Sequence, residues 1–143
     1  MQVSQKPLLA FVIATGLTAL TMTDAVYATD YSVAYALDTD GKTETGKLEN
    51  CNSIDTCKIK FRAIDATARL SYFANPPDGD KIVLSMWGAS ACCYFSDGND
   101  TIRLDPRKQL HAVPIYAGHA RRRNEFIQNQ RLGVLYVSFA VSH

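Results

Sequence analysis

The chain has 143 residues, of which 47% are hydrophobic and 20% are charged, and its formal net charge is +1. This length suits one ordinary domain, and the near balance of charge excludes a broadly basic nucleic-acid-binding protein. The balance hides an asymmetry, since residues 29–80 carry nine acidic and six basic side chains whereas residues 81–143 carry four and eight. We therefore predict no nucleic-acid partner and a local positive surface in the second half.

The first 28 residues have the three parts of a secretory signal peptide. Lys6 supplies a positive charge, an uncharged apolar stretch covers Leu8 to Met22, and Val26 and Ala28 stand where a signal peptidase reads. The alternative is a membrane anchor that stays attached, but a spanning helix needs about 20 apolar residues, more than this stretch provides. We predict cleavage after Ala28, a single mature domain of residues 29–143 without a transmembrane segment, and a secreted or periplasmic location.

The rest of the sequence shows the period-two alternation of β-strands, interrupted by Asp-Gly pairs that suit tight hairpin turns. Five segments place an apolar residue at every second position. The predicted inward positions are Tyr31, Val33, Tyr35 and Leu37; Cys57, Ile59, Phe61 and Ala63; Ala68, Leu70 and Tyr72; Ile82, Leu84 and Met86; and Ile102 and Leu104. We predict an all-β fold, a small antiparallel β-sandwich or barrel of seven or eight strands held by disulfides.

Three segments near the C-terminus depart from this alternation. Pro114 interrupts residues 109–117, which predicts an edge strand or a β-bulge. Residues 119–131 lack alternation, glycine and proline, and are predicted to form a long loop or one short helix. Residues 132–141 are apolar on both faces, which is typical of a central strand that is covered on both sides.

All four cysteines, Cys51, Cys57, Cys92 and Cys93, lie after the predicted signal peptide. An even number of cysteines in an exported domain predicts disulfides. Adjacent residues of an extended strand project to opposite faces, so we expect Cys92 and Cys93 to bond with the 51–57 segment and not with each other. The alternative arrangement is a local Cys51–Cys57 bridge with a vicinal or reduced pair at 92–93.

The sequence contains no motif for catalysis, a metal ion or a cofactor, and we predict none of these. His111 and His119 are separated by a proline and a glycine at a spacing that matches no metal site, and His143 lies at the chain end. The aspartates beside the Asp-Gly turns lack the twelve-residue spacing of a calcium loop, and turn chemistry explains them. A small hydrolase or metal enzyme that uses His111 or His119 remains an alternative.

The candidate ligand-binding residues are basic or polar and lie around the irregular segment. They are Arg107, Lys108, His119, Arg121, Arg122, Arg123 and Asn124. Guanidinium groups pair bidentately with carboxylates, phosphates and sulfates, although a solvated loop with an internal Glu125 pair would explain the same charges. We predict an exported, non-catalytic binding protein for an anionic glycan, a lipid head group or an acidic protein surface. A structural cell-envelope component that assembles through an edge strand is a further alternative.

Overall fold

The computed structural model describes residues 28–74, 79–88, 92–118 and 130–142. Most of these residues lie in nine strands, one more than the upper predicted number: β1 (Asp30–Thr39), β2 (Lys42–Asn52), β3 (Cys57–Phe61), β4 (Ala66–Phe73), β5 (Lys81–Gly88), β6 (Cys92–Phe95), β7 (Thr101–Leu104), β8 (His111–Ala117) and β9 (Arg131–Val141). Apart from Ala28, the predicted signal peptide lies outside the described residues. Within them, no helix is long and apolar enough to span a membrane.

The strands form two antiparallel sheets. One has five strands in the order β2-β1-β9-β8-β6, and the other has four in the order β3-β4-β5-β7. Neither sheet closes on itself, so the fold is the predicted all-β sandwich and not a barrel. The chain crosses from the first sheet to the second after β2, returns at β6, visits the second sheet again at β7, and ends in the first.

Apolar side chains from the two sheets meet in one core. Tyr31 of β1 packs against Tyr72 of β4 with ring centroids 5.4 Å apart, and Tyr35 meets Phe61 of β3 edge-on at 5.6 Å. The predicted inward positions are buried or partly buried, except for one. Ala63 is exposed, because β3 ends at Phe61 and the chain then turns into β4.

β9 lies at the centre of the five-stranded sheet, as its sequence predicted. Leu135 and Val137 point into the core and are fully buried. The prediction that both faces are covered is wrong, because Val134 and Tyr136 on the outer face are only half-buried. In the described part of the chain, no second layer packs on that side.

Pro114 lies where β8 changes its neighbours. β9 pairs with β8 on one side along His111–Tyr116, whereas β6 pairs with β8 on the other side only from Ile115 onward. The prediction of an edge strand is therefore wrong for the C-terminal half of β8, which is an interior segment. The predicted irregularity is present, because the β8–β9 register shifts between Ile115 and Tyr116, directly after the residue that has no backbone N–H to donate.

The cysteines form two disulfides, but their pairing differs from the predicted one. Cys51 bonds with Cys57, across a Cα–Cα distance of 5.7 Å, and Cys92 bonds with Cys93. The expected cross-links between the two segments are therefore wrong, and the alternative arrangement is the one present. The expectation assumed a regular strand at 92–93, but the β6–β8 register shifts between Cys92 and Tyr94, so the alternation of side chains does not hold there.

The two neighbouring core tyrosines, Tyr31 and Tyr72, differ in how their hydroxyl groups are satisfied. The Tyr72 hydroxyl donates a hydrogen bond to Oδ2 of Asp80. The Tyr31 hydroxyl is buried and has no partner among the described residues. A hydrogen bond to a charged group stabilises by about 1.5–3 kcal/mol, whereas removing an unsatisfied buried polar group is neutral or favourable.

We therefore expect Tyr72→Phe to lower the free energy of unfolding by about 1.5–3 kcal/mol and Tyr31→Phe to leave it unchanged or raise it. Burial, the larger cause, and the hydrogen bond to Asp80 both raise the pKa of Tyr72. Burial alone raises the pKa of Tyr31. The folded state therefore disfavours the ionised form of both phenols, and stability falls as the pH rises above about 10. Urea titrations at pH 7 and pH 10.5 measure both effects, and equal losses in the two variants at pH 7 would contradict the assignment.

Candidate anion-binding face

Alternate residues of the four-stranded sheet point away from the core and form a continuous outer face. The strand register fixes which of these residues are neighbours. Lys58 on β3 lies opposite Arg69 on β4, and Arg69 lies opposite Ser85 on β5. Ser85 in turn lies opposite Thr101 on β7, so one row crosses the whole sheet.

The charged residues on this outer face are all positive. Its charged residues are Lys58, Lys60, Arg69, Lys81 and Arg103, and the outward positions of the four described strands include no aspartate or glutamate. Thr67, Ser71, Ser85 and Thr101 supply hydroxyl groups, and Phe73, Val83 and Trp87 complete the set. We call these residues the basic face.

The cations of the basic face are spread over a wide area. Lys60 and Arg103 are three strand spacings apart, or about 14 Å at roughly 4.8 Å per spacing. Lys60 lies in the same cross-strand row as Trp87, whereas Arg103 lies in the same row as Val83. These rows are about 13 Å apart along the strands, so the two cations are separated by about 20 Å. No single small anion contacts both.

Trp87 and Arg69 lie side by side on the basic face. The guanidinium carbon of Arg69 is 5.9 Å from the Trp87 ring centroid, within the range of a cation–π interaction. The Trp87 side chain is 44% exposed. This place therefore offers a partner a positive charge and an aromatic surface together.

Arg107, one of the candidate residues from the sequence, borders the basic face but already has an acidic partner. Its Nε and Nη2 donate to the two carboxylate oxygens of Asp105 at 3.0 and 3.2 Å. Hydrogen bonds from the Arg107 side chain and backbone lower the pKa of Asp105, and the same carboxylate raises that of Arg107. Arg107 and Asp105 line a shallow depression of about 220 Å³ together with Asp80, Lys81 and Arg103.

Of the other candidates from the sequence, the structure describes Lys108 alone. Lys108 is exposed in the connection between β7 and β8, and its backbone N–H donates to the Asp105 carbonyl oxygen at 3.1 Å. The remaining candidates lie outside the described residues, so their role stays a prediction: His119, Arg121, Arg122, Arg123 and Asn124.

The contacts of the His111 side chain serve the fold. Its ring is buried, Nε2 lies 2.8 Å from the Asp105 carbonyl oxygen, and its ring centroid is 5.9 Å from that of Phe139. The contact with Asp105 ties β8 to the connection that precedes it, and Phe139 belongs to the neighbouring strand β9. Within the described ranges, no three histidine, cysteine or acidic side chains lie close enough to hold a metal ion.

A larger depression lies on the other sheet and differs in charge. It has a volume of about 400 Å³ and is formed by the turn between β1 and β2 and by the start of β9. Its lining includes Asp38, Asp40 and Arg131, so the depression has mixed charge. On the outward strand positions of the basic face, by contrast, every charged side chain is a cation.

The candidates from the sequence do not include Lys58, Lys60, Arg69, Lys81 or Trp87. The alternation of Lys58 and Lys60 with Ile59 marks a solvent-facing side of β3, which is the usual position for lysine. Lys58 and Lys60 form a site because they align with Arg69 and Arg103. That alignment depends on the strand order β3-β4-β5-β7, which skips β6.

The chain was compared with models of protein families, with curated protein sequences and with solved structures. None of the three comparisons finds a match. The chemistry of the basic face therefore carries the functional inference.

Proposed function

We propose that this protein is an exported, non-catalytic binding protein that holds an anionic partner against its basic face. The observation that carries the proposal is the set of four cations Lys58, Lys60, Arg69 and Arg103, on outward positions of one sheet where the described strands place no acidic residue. Such a surface raises the local concentration of anions and speeds their association. Anionic glycans, lipid head groups and acidic protein surfaces share the carboxylate, sulfate or phosphate groups that these cations pair with.

The positions of the cations lower the stability of the free protein. A role in binding would explain why they are placed so. Lys58 lies directly opposite Arg69 on the exposed side of the β3–β4 pair, and like charges in that position destabilise a sheet. Alternating signs would stabilise the same strands. A bound anion neutralises both side chains and relieves this repulsion.

The two disulfides support a secreted or periplasmic location, because such bonds form and persist in oxidising compartments. The signal-like composition of residues 1–28 agrees with this location. We propose the location together with the function, and N-terminal sequencing of the exported form tests it. A first residue other than Thr29 would contradict the predicted cleavage site.

A charge-removal variant tests the binding surface. We expect the triple variant Lys58→Gln, Lys60→Gln, Arg103→Gln to bind dextran sulfate at least 10-fold more weakly than the wild type at low ionic strength. The wild-type affinity should fall as salt rises, because exposed charges are screened beyond about 10 Å at 0.1 M. Isothermal titration calorimetry at several salt concentrations measures both results. The free energy of unfolding should not fall, since the substitutions remove like charges from an exposed surface.

The control variant removes the same number of charges from another part of the molecule. Lys42→Gln, Lys47→Gln, Arg131→Gln alters three exposed cations of the five-stranded sheet and should retain wild-type affinity for dextran sulfate. A third variant, Arg121→Gln, Arg122→Gln, Arg123→Gln, removes the cluster predicted from the sequence. If only this third variant loses binding, the basic face is not the binding surface, and equal losses in the first two variants would show attraction by net charge alone.

A further inference from the structure

We propose that the anionic partner is a linear acidic polysaccharide, which lies across the strands of the basic face with a sugar ring on Trp87 and a carboxylate at Arg69. The inference rests on the proposed function, because it names the chemical class of the partner. The polysaccharide carries uronic-acid carboxylates that are separated along the chain by uncharged sugars. Four features of the basic face lead to this class.

The extent of the basic face requires a polymer. Lys60 and Arg103 are separated by about 20 Å, so a free phosphate, a sulfate ion or a single head group contacts only part of the surface. The register also divides the cations into two groups, with Lys58, Lys60 and Arg69 in one and Arg103, on the side of Lys81, in the other. A chain with spaced acidic groups engages both groups at once.

The outward strand positions between the two groups carry no charged side chain, and apart from Val83 the surface there presents hydroxyl groups. It includes Ser71, Ser85 and Thr101, and the hydroxyl oxygens of Ser85 and Thr101 lie 3.2 Å apart. A hydroxyl group both donates and accepts hydrogen bonds, which matches the hydroxyl groups of neutral sugars. A polymer with an acidic group at every position would place unneutralised charge over this band.

Trp87 adds an aromatic surface beside a cation. The electron-rich face of an aromatic ring attracts partly positive hydrogens, and the C–H groups on one side of a pyranose ring are of this kind. The guanidinium group of Arg69, 5.9 Å from the ring centroid, pairs with a carboxylate. A uronic-acid residue presents both groups within one sugar, whereas an aspartate or glutamate side chain presents only the carboxylate.

The placement of the exposed aromatic residues argues against single-stranded nucleic acid. Successive bases stack on aromatic side chains that lie close together. Phe73 lies opposite Lys81 at one end of β5, and Trp87 lies near the other end, about 20 Å away along the strand. A membrane surface fits less well too, because Val83 is the one other apolar side chain between them on these strands.

The single tryptophan of the chain provides a direct reporter. We expect hyaluronan, which has a carboxylate on every second sugar, to change the Trp87 fluorescence of the wild-type protein in a saturable manner. Poly-L-glutamate of similar charge should bind more weakly and leave the emission nearly unchanged, because it has no sugar ring to cover the indole. Neutral dextran should produce no change at low millimolar concentrations.

Substitution of Trp87 separates the sugar contact from the charge. We expect Trp87→Ala to weaken hyaluronan binding at least 10-fold, as measured by calorimetry, while poly-L-glutamate binding changes less than twofold. Trp87→Phe should restore most of the hyaluronan affinity because it restores an aromatic face. The matched control is Leu110→Ala, which removes another large exposed apolar side chain, outside the basic face, and should change neither affinity.

The outcomes distinguish a failure of this inference from a failure of the proposed function. If the wild type binds poly-L-glutamate as tightly as hyaluronan, or if Trp87→Ala binds hyaluronan normally, the polysaccharide assignment is overturned and the anion-binding function stands. Tighter binding to phosphatidylglycerol vesicles or to oligo(dT) overturns it in favour of a membrane or a nucleic acid. If the wild type binds none of these polyanions, both proposals fall.

Discussion

Replacing Phe61 by alanine is expected to lower the free energy of unfolding by about 3–5 kcal/mol, the usual cost for a fully buried phenylalanine. The Phe61 side chain is completely buried and meets the Tyr35 ring edge-on at 5.6 Å. Tyr35 belongs to the five-stranded sheet and Phe61 to the four-stranded sheet, so the contact joins the two layers. The variant loses this contact as well as the burial of its ring.

The matched control is Phe73→Ala, which removes the same side chain from an exposed position. Phe73 is 53% exposed at the end of β4, and exposed substitutions of this kind change stability by about 0.5 kcal/mol. Urea-induced unfolding, followed by circular dichroism, measures both variants. Similar losses in the two would show that burial against the opposite sheet is not what Phe61 contributes.

The Phe61 variant also has a consequence for the basic face. β3 has a neighbour on one side only, β4, and it carries Lys58 and Lys60. Phe61 anchors the end of this strand in the core. We expect amide hydrogen exchange in β3 of Phe61→Ala to increase more than exchange in β9, because the lost contact belongs to the edge of the sandwich.

The second large effect is expected for Gly133→Ala, which should lower the free energy of unfolding by about 3 kcal/mol. Gly133 pairs with Thr39 where β9 runs beside β1, and a Cβ atom there would collide with the backbone carbonyl oxygen of Asp38. A backbone atom within a hydrogen-bonded ladder cannot move independently of its strand. The central strand β9 and its neighbour β1 would therefore have to separate locally.

Gly46→Ala is the control for this prediction, because its added Cβ atom would meet a side chain instead. The obstructing atoms belong to the far end of the Tyr35 side chain, which can rotate at the cost of its edge-on contact with Phe61, about 0.5–1.5 kcal/mol. Thermal and chemical unfolding of both variants compare the two costs. A Gly46→Ala variant that is less stable than Gly133→Ala would contradict this distinction between backbone and side-chain obstruction.

The sequence alone predicted the fold class and most of the inward residues, because both follow from local alternation. Successive side chains of a strand point to opposite faces, so the apolar period of β1, β4 and β5 identifies their core side without knowledge of any partner strand. Val33, Leu70 and Leu84 are fully buried as this period predicts. The even number of cysteines likewise predicted disulfides from composition alone.

Only the tertiary structure decided the cysteine pairing and the position of the basic face. The pairing depends on the irregular backbone at Cys92 and Cys93, where the alternation rule does not apply. The basic face depends on long-range strand order and register, which align Lys58 with Arg69 and bring Arg103 into the same sheet. In sequence these cations occupy ordinary solvent-facing positions on separate strands, and local patterns contain no information about which strands become neighbours. Charge at a single position is therefore readable from the sequence, but its concentration on one surface is a property of the folded sheet.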